Sequence, residues 1–107
     1  MKLEGKVALV TGSSRGVGKA VALGFAASGA DVIINYTSNE NAADSVVSEI
    51  QSMGRSAVAV KADVAAKADV ERLVNTAAEK YGRLDVLVNN AGFTRPAMMV
   101  KMSEDQW

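Results

Sequence analysis

The chain has 107 residues, 49% of them hydrophobic, which is enough for one small domain that buries roughly 65% of its unfolded surface and is too apolar for disorder. Twelve basic residues balance twelve acidic ones, so no overall field favours nucleic acid or a membrane surface, and neither is expected as a partner. The absence of cysteine and histidine excludes disulfides and thiolate metal sites and removes the commonest general base; no metal site is expected, and a cytoplasmic setting fits.

Four short apolar runs alternate with helical patterns. The runs are Lys6 to Thr11, Asp31 to Asn35, Ser56 to Lys61 and Leu84 to Val88. They are nearly continuous in apolar residues rather than alternating, as strands buried on both faces of a parallel sheet are. The segments between them carry apolar residues three and four apart, which predicts helices over Gly16 to Ser28, Asn39 to Met53 and Lys67 to Tyr81, stopped by Gly29, Gly54 and Gly82. The order βαβαβαβ predicts an α/β fold of Rossmann type: a parallel sheet in order 3-2-1-4 with helices on both faces, about four strands and three helices. Its last strand, Leu84 to Val88, is expected to be a bare apolar edge, and the chain is expected to associate through that edge or through the surfaces left uncovered beside it, giving a homo-oligomer. No run approaches the about 20 apolar residues of a membrane span, and Met1 to Lys6 lacks the apolar core of a signal peptide.

Near the end, Ser103-Glu104-Asp105-Gln106 is a capping box that announces a further helix. The sequence given stops one residue later, so a truncated protein is expected. Met98, Met99 and Met102 form a small cluster suited to core filling, a helix interface or an acyl-binding surface.

The chemistry gathers at the carboxyl ends of the predicted strands, where open α/β sheets bind ligands. After the first run comes Gly12-Ser13-Ser14-Arg15-Gly16-Val17-Gly18, a glycine-studded turn that opens into a helix. Gly12 permits a tight turn, Gly16 a close approach of backbone to phosphate, and Gly18 tight packing of helix on strand. Ser13, Ser14 and the turn amides offer donors to phosphate oxygens, aided by the helix dipole. This is the recipe for holding a dinucleotide pyrophosphate.

An absence sharpens that reading. Sites that select NAD place Asp or Glu at the end of the second strand to hold the ribose 2′-hydroxyl. Here that place reads Asn35-Tyr36-Thr37-Ser38, while Asp31 falls at the other end of the strand. Arg15 lies in the glycine turn with no neighbouring acid, and Thr37 and Ser38 add hydroxyl donors; together they favour a 2′-phosphate and hence NADP(H). A solvated surface charge is the ordinary alternative for a loop arginine. Asp63-Val64 after the third run and Asn89-Asn90-Ala91-Gly92 after the fourth are placed to meet the adenine and ribose; singly, each also reads as turn chemistry.

Taken together, Thr11-Gly12-x-x-x-Gly16-x-Gly18, Asp63-Val64 and Asn89-Asn90-Ala91-Gly92 resemble the classical short-chain dehydrogenase/reductase family over the whole of Leu3 to Trp107. The run Asn90-Ala91-Gly92-Phe93-Thr94-Arg95, with Met102 and Trp107, looks more narrowly like 3-oxoacyl-acyl-carrier-protein reductases. The resemblance implies cofactor contacts from Gly12, Ser14, Arg15, Gly16, Val17 and Gly18, with the 2′-phosphate met by Arg15 and Thr37. It implies adenine contact from Asp63 and Val64, ribose-side contact from Asn90, Ala91 and Gly92, and a tie from Thr11 to the Asn-Asn-Ala-Gly turn. Family members are more than twice as long, and their catalytic Asn, Ser, Tyr and Lys fall beyond Trp107. Residues 1–107 are therefore expected to be the N-terminal half of a dinucleotide-binding domain, inactive alone. The parent is expected to reduce a 3-oxoacyl thioester with NADPH, as in fatty acid synthesis. A non-catalytic binding module and a reductase of another ketone are the alternatives.

Overall fold

The computed structural model describes residues 2–14, 16–63 and 66–89, and the backbone of 97–100. Its elements are β1 (Val7–Val10), α1 (Gly16–Ala27), β2 (Asp31–Tyr36), α2 (Glu40–Ser52), β3 (Ala57–Lys61), α3 (Lys67–Tyr81), β4 (Val86–Asn89) and β5 (Ala97–Val100). The sheet runs β3-β2-β1-β4-β5. The first four strands are parallel, in the order 3-2-1-4 expected from the sequence.

The apolar runs become strands because the sheet has two covered faces. Along β1, Ala8 and Val10 point into a core shared with Ala22 and Ala26 of α1 and with Ala43, Val46 and Ile50 of α2. Val7 and Leu9 point the other way, toward Leu73 and Ala77 of α3. The side-chain period of two sends alternate residues to opposite faces, and both faces are apolar here. On α1 the buried residues are Gly18, Ala22 and Ala26. Four apart and all small, they form a stripe that lets the helix lie close against β1 and β2.

Position and type of the elements agree with the sequence reading to within a residue or two. One strand differs. The edge at β4 is not bare: Ala97–Val100 pairs with it antiparallel, Val86 opposite Val100 and Asn89 opposite Ala97. The expectation of a bare edge is corrected accordingly. The reason is physical: an apolar strand leaves a row of unpaired N–H and C=O groups, and the next apolar run of the chain satisfies them. The connection of residues 90–96 is shorter than the about a dozen residues that a parallel crossover needs, so the pairing is antiparallel. Met98 and Met99 therefore belong to a strand. Met102 and the capping box at Ser103 lie outside the described residues.

Candidate functional site at the carboxyl edge of the sheet

The glycine turn leaves β1 at the centre of the carboxyl edge. Gly12 has φ +59° and Gly16 φ +62°, a left-handed conformation that only glycine adopts without cost. α1 begins at Gly16, and the first amides of a helix lack intrahelical partners. Val17 stands exposed at the head of that helix, and Gly18 is buried under it. The turn thus has the form of an anion cradle.

What holds the turn is Asn35, at the end of β2 and 1% exposed. Its Oδ1 accepts the Gly12 amide at 2.9 Å. Its Nδ2 donates to the Ala62 carbonyl at 3.1 Å. One side chain therefore ties the turn after β1, the end of β2 and the end of β3. Ser13 completes the joint. Its hydroxyl donates to the Val10 carbonyl at 2.6 Å and accepts the Asn35 amide at 2.9 Å, while its own amide donates to the Asn35 carbonyl at 3.0 Å. Ser13 is fully buried, so the expectation that its hydroxyl meets phosphate is corrected: burial turns it inward to satisfy strand-end backbone. The sequence signal for this joint is a lone asparagine at the end of an apolar strand.

Thr11 anchors the other side. Its amide donates to the Val88 carbonyl at 3.0 Å, and its hydroxyl donates to Asn89 Oδ1 at 3.1 Å. The expected tie from β1 to the start of the Asn-Asn-Ala-Gly segment is present in this form.

A cleft of about 260 Å³ opens between the glycine turn and the segment joining β2 to α2, lined by Gly12, Ser14, Tyr36, Thr37, Ser38 and Asn39. It is smaller than the about 300 Å³ at which pockets for whole ligands begin, which suits one sugar or phosphate of a larger molecule. Among the described residues no carboxylate lines it. Thr37 and Ser38 are exposed at its mouth. Asn39 is engaged as the cap of α2, accepting the Ala42 amide at 3.0 Å. The Tyr36 hydroxyl donates to Glu40 Oε2 at 3.1 Å. Burial first, then Glu40 and the charge of Asp44, push its phenol above the ordinary value, so it remains a donor at neutral pH.

Of the residues expected to bind cofactor, Gly12, Ser14 and Thr37 come together in this cleft. Gly16, Val17 and Gly18 form the adjoining helix start. Asp63 lies beyond β3, exposed and outside the cleft lining. Its amide donates to Asp69 Oδ2 at 2.8 Å and its carbonyl accepts the Ala66 amide at 2.9 Å. Arg15, Val64, Asn90, Ala91 and Gly92 lie outside the described residues. Among the described residues no cluster of His, Cys, Asp and Glu could hold a metal ion, and no helix is long and apolar enough to cross a membrane.

The opposite, amino edge carries a structural ion pair that the sequence reading did not single out. Asp85, 5% exposed, accepts the Val7 amide at 2.8 Å and Nε and Nη2 of the Arg83 guanidinium at 2.8 and 2.6 Å. Burial alone would raise its pKa. Hydrogen bonds from Arg83 and Val7 and the charges of Arg83 and Lys6 outweigh that and hold the carboxyl below its ordinary value. Asp85 thus pins the amino end of β4 to β1, as Thr11 and Asn89 pin the carboxyl end.

The chain is similar to known proteins throughout. It is 50% identical over 105 residues to a 3-oxoacyl-[acyl-carrier-protein] reductase of Synechocystis sp., covering 98% of this chain and 42% of that protein. It is 42% identical over 102 residues to the 3-oxoacyl-[acyl-carrier-protein] reductase of Staphylococcus aureus, covering 95% and 42%. The structure superposes on a short-chain dehydrogenase from Burkholderia cenocepacia in complex with NADP, with a TM-score of 0.84, 46% identity and coverage of 98% and 43%. It also superposes on a blue fluorescent protein from a metagenomic library in complex with NADPH, with a TM-score of 0.83, 46% identity and coverage of 87% and 38%. The chain thus spans about two fifths of the length of the relatives it matches. The family model for short chain dehydrogenase matches residues 6–107. With that match over nearly its whole length, and with the glycine turn and parallel sheet the match implies, the chain belongs to the short-chain dehydrogenase family.

Proposed function

We propose that the chain is the NADP(H)-binding part of an oxidoreductase that reduces a 3-oxoacyl thioester to the 3-hydroxyacyl thioester, of the fatty acid synthesis type. One observation carries the cofactor reading: the cleft beside the glycine turn is lined by Ser14, Thr37 and Ser38 and, among the described residues, by no carboxylate. A ribose 2′-phosphate is favoured by hydroxyl and amide donors and repelled by an acid. The relatives crystallised with NADP and NADPH support the same reading. The substrate class rests on the names of the Synechocystis and Staphylococcus reductases.

In this proposal the amides at the head of α1, with Gly12 and Gly16 allowing close approach, hold the pyrophosphate; Arg15 and Thr37 take the 2′-phosphate. Asp63 and Val64 meet the adenine, and Asn90, Ala91 and Gly92 border the ribose on the β4 side. Bound NADPH supplies a hydride for the substrate C3, and the carbonyl oxygen takes up a proton. The sequence contains no Tyr-x-x-x-Lys arrangement: Tyr36 is followed at that spacing by Glu40 and Tyr81 by Asp85. Residues 1–107 are accordingly proposed as the N-terminal half of the binding domain, without turnover of their own. A cytoplasmic setting and a homo-oligomer belong to the same proposal; light scattering tests the latter.

The test of catalysis is an assay of the 107-residue chain with NADPH and an acetoacetyl thioester. No NADPH oxidation above background is expected, and turnover would overturn the assignment of a binding half.

A further inference from the structure

Tyr36 ends β2, is nearly buried and forms one wall of the cleft. Its hydroxyl donates to Glu40 Oε2 at 3.1 Å, one turn along the chain. Glu40 is the first residue of α2 and is exposed. It stands one residue past the cleft-lining run Thr37 to Asn39, yet it is not itself part of the lining. An exposed carboxylate is thus stationed beside a cleft whose donors suit an anion, with a phenol holding it.

Resting on the NADP(H) reading, we infer that the Tyr36–Glu40 hydrogen bond is a specificity latch: it keeps a carboxylate out of the cleft so that Ser14, Thr37 and Ser38 meet the 2′-phosphate unopposed. A carboxylate released toward the ribose acts with opposite sign on the two cofactors. It repels a 2′-phosphate and accepts a hydrogen bond from a 2′-hydroxyl. A latch therefore differs from a merely structural contact, whose loss weakens both cofactors alike. Tyr36 and Glu40 are positioning residues in this scheme, acting through the charge they place. The four-residue spacing suits the role, because the strand end and the first helical turn are fixed independently, by Asn35 and by the Asn39 cap.

The experiment measures Kd for NADPH and for NADH by calorimetry on the chain, on Tyr36→Phe, on Glu40→Gln and on the double variant, with thermal unfolding confirming that each is folded. Tyr36→Phe is expected to weaken NADPH and tighten NADH, lowering the preference about five- to tenfold. Glu40→Gln is expected to keep the NADPH preference, and the double variant to recover it, since the carboxylate is then gone. Loss of affinity for both cofactors alike, an unchanged ratio in Tyr36→Phe, or a shift that persists in the double variant would overturn the latch. A chain that prefers NADPH but shows any of these outcomes retains the proposed function without the latch. A chain with no NADPH preference loses both.

Discussion

The Gly12 amide donates to Asn35 Oδ1 at 2.9 Å, so the glycine turn hangs from a side chain buried in the neighbouring strand. Main-chain conformation at Gly12 and side-chain chemistry at Asn35 form one unit. Replacing Asn35 with Ala removes the hydrogen bonds it makes to the Gly12 amide and the Ala62 carbonyl. The expected loss is about 2–3 kcal/mol of stability, read by urea denaturation, with weaker NADPH binding because the turn loosens.

Two glycines in the same region are expected to respond oppositely to alanine. A Cβ at Gly16 or at Gly24 would meet nothing within 4 Å, so neither change is opposed by a clash. Gly16 has φ +62°, and Gly16→Ala should cost about 1–2 kcal/mol from backbone conformation alone. Gly24 lies within α1, where Gly24→Ala should stabilise by up to about 1 kcal/mol. Paired thermal melts check both signs.

Asp85 links stability to pH. Its folded pKa is held below the unfolded value by Arg83, Val7 and Lys6 despite burial. Its contribution is therefore fully present above the unfolded carboxyl pKa, near pH 4. It is lost as the pH falls from there through the folded pKa. Asp85→Asn should lower stability at neutral pH by about 1.5–3 kcal/mol, the worth of hydrogen bonds to a charged group. Its stability should also fall less steeply on acidification below about pH 4. Denaturation curves at a series of pH values measure both effects.

Thr37 lines the cleft and is exposed, so its replacement tests contact rather than folding. Thr37→Ala should weaken NADPH about fivefold, equivalent to one modest hydrogen bond. NADH affinity and the melting temperature should stay unchanged.

Much of this architecture is legible in the sequence because parallel strands are buried on both faces. Val7 to Val10 and Val32 to Ile34 read as unbroken apolar runs, and they become β1 and the core of β2. The helices follow from spacing: Lys67 to Tyr81 is bounded in the structure as the pattern predicts. What spacing does not carry is the destination of polar side chains. Ser13 and Ser14 are neighbours of one type, yet Ser13 is buried in the joint and Ser14 lines the cleft. The difference depends on the turn's path and on Asn35, twenty-two residues away. The fifth strand was equally hidden. Ala97 to Val100 is a four-residue apolar run whose methionines suit a core or a helix interface as well as a strand, and it pairs because β4 offers an unsatisfied edge.

The central claim is that the cleft beside the glycine turn selects a phosphorylated ribose. Titration calorimetry of the chain with NADPH and with NADH under identical conditions tests it most directly. The expected result is NADPH binding tighter by at least about tenfold, the worth of one charge-assisted hydrogen bond. Equal affinities, tighter NADH, or no binding of either would contradict it.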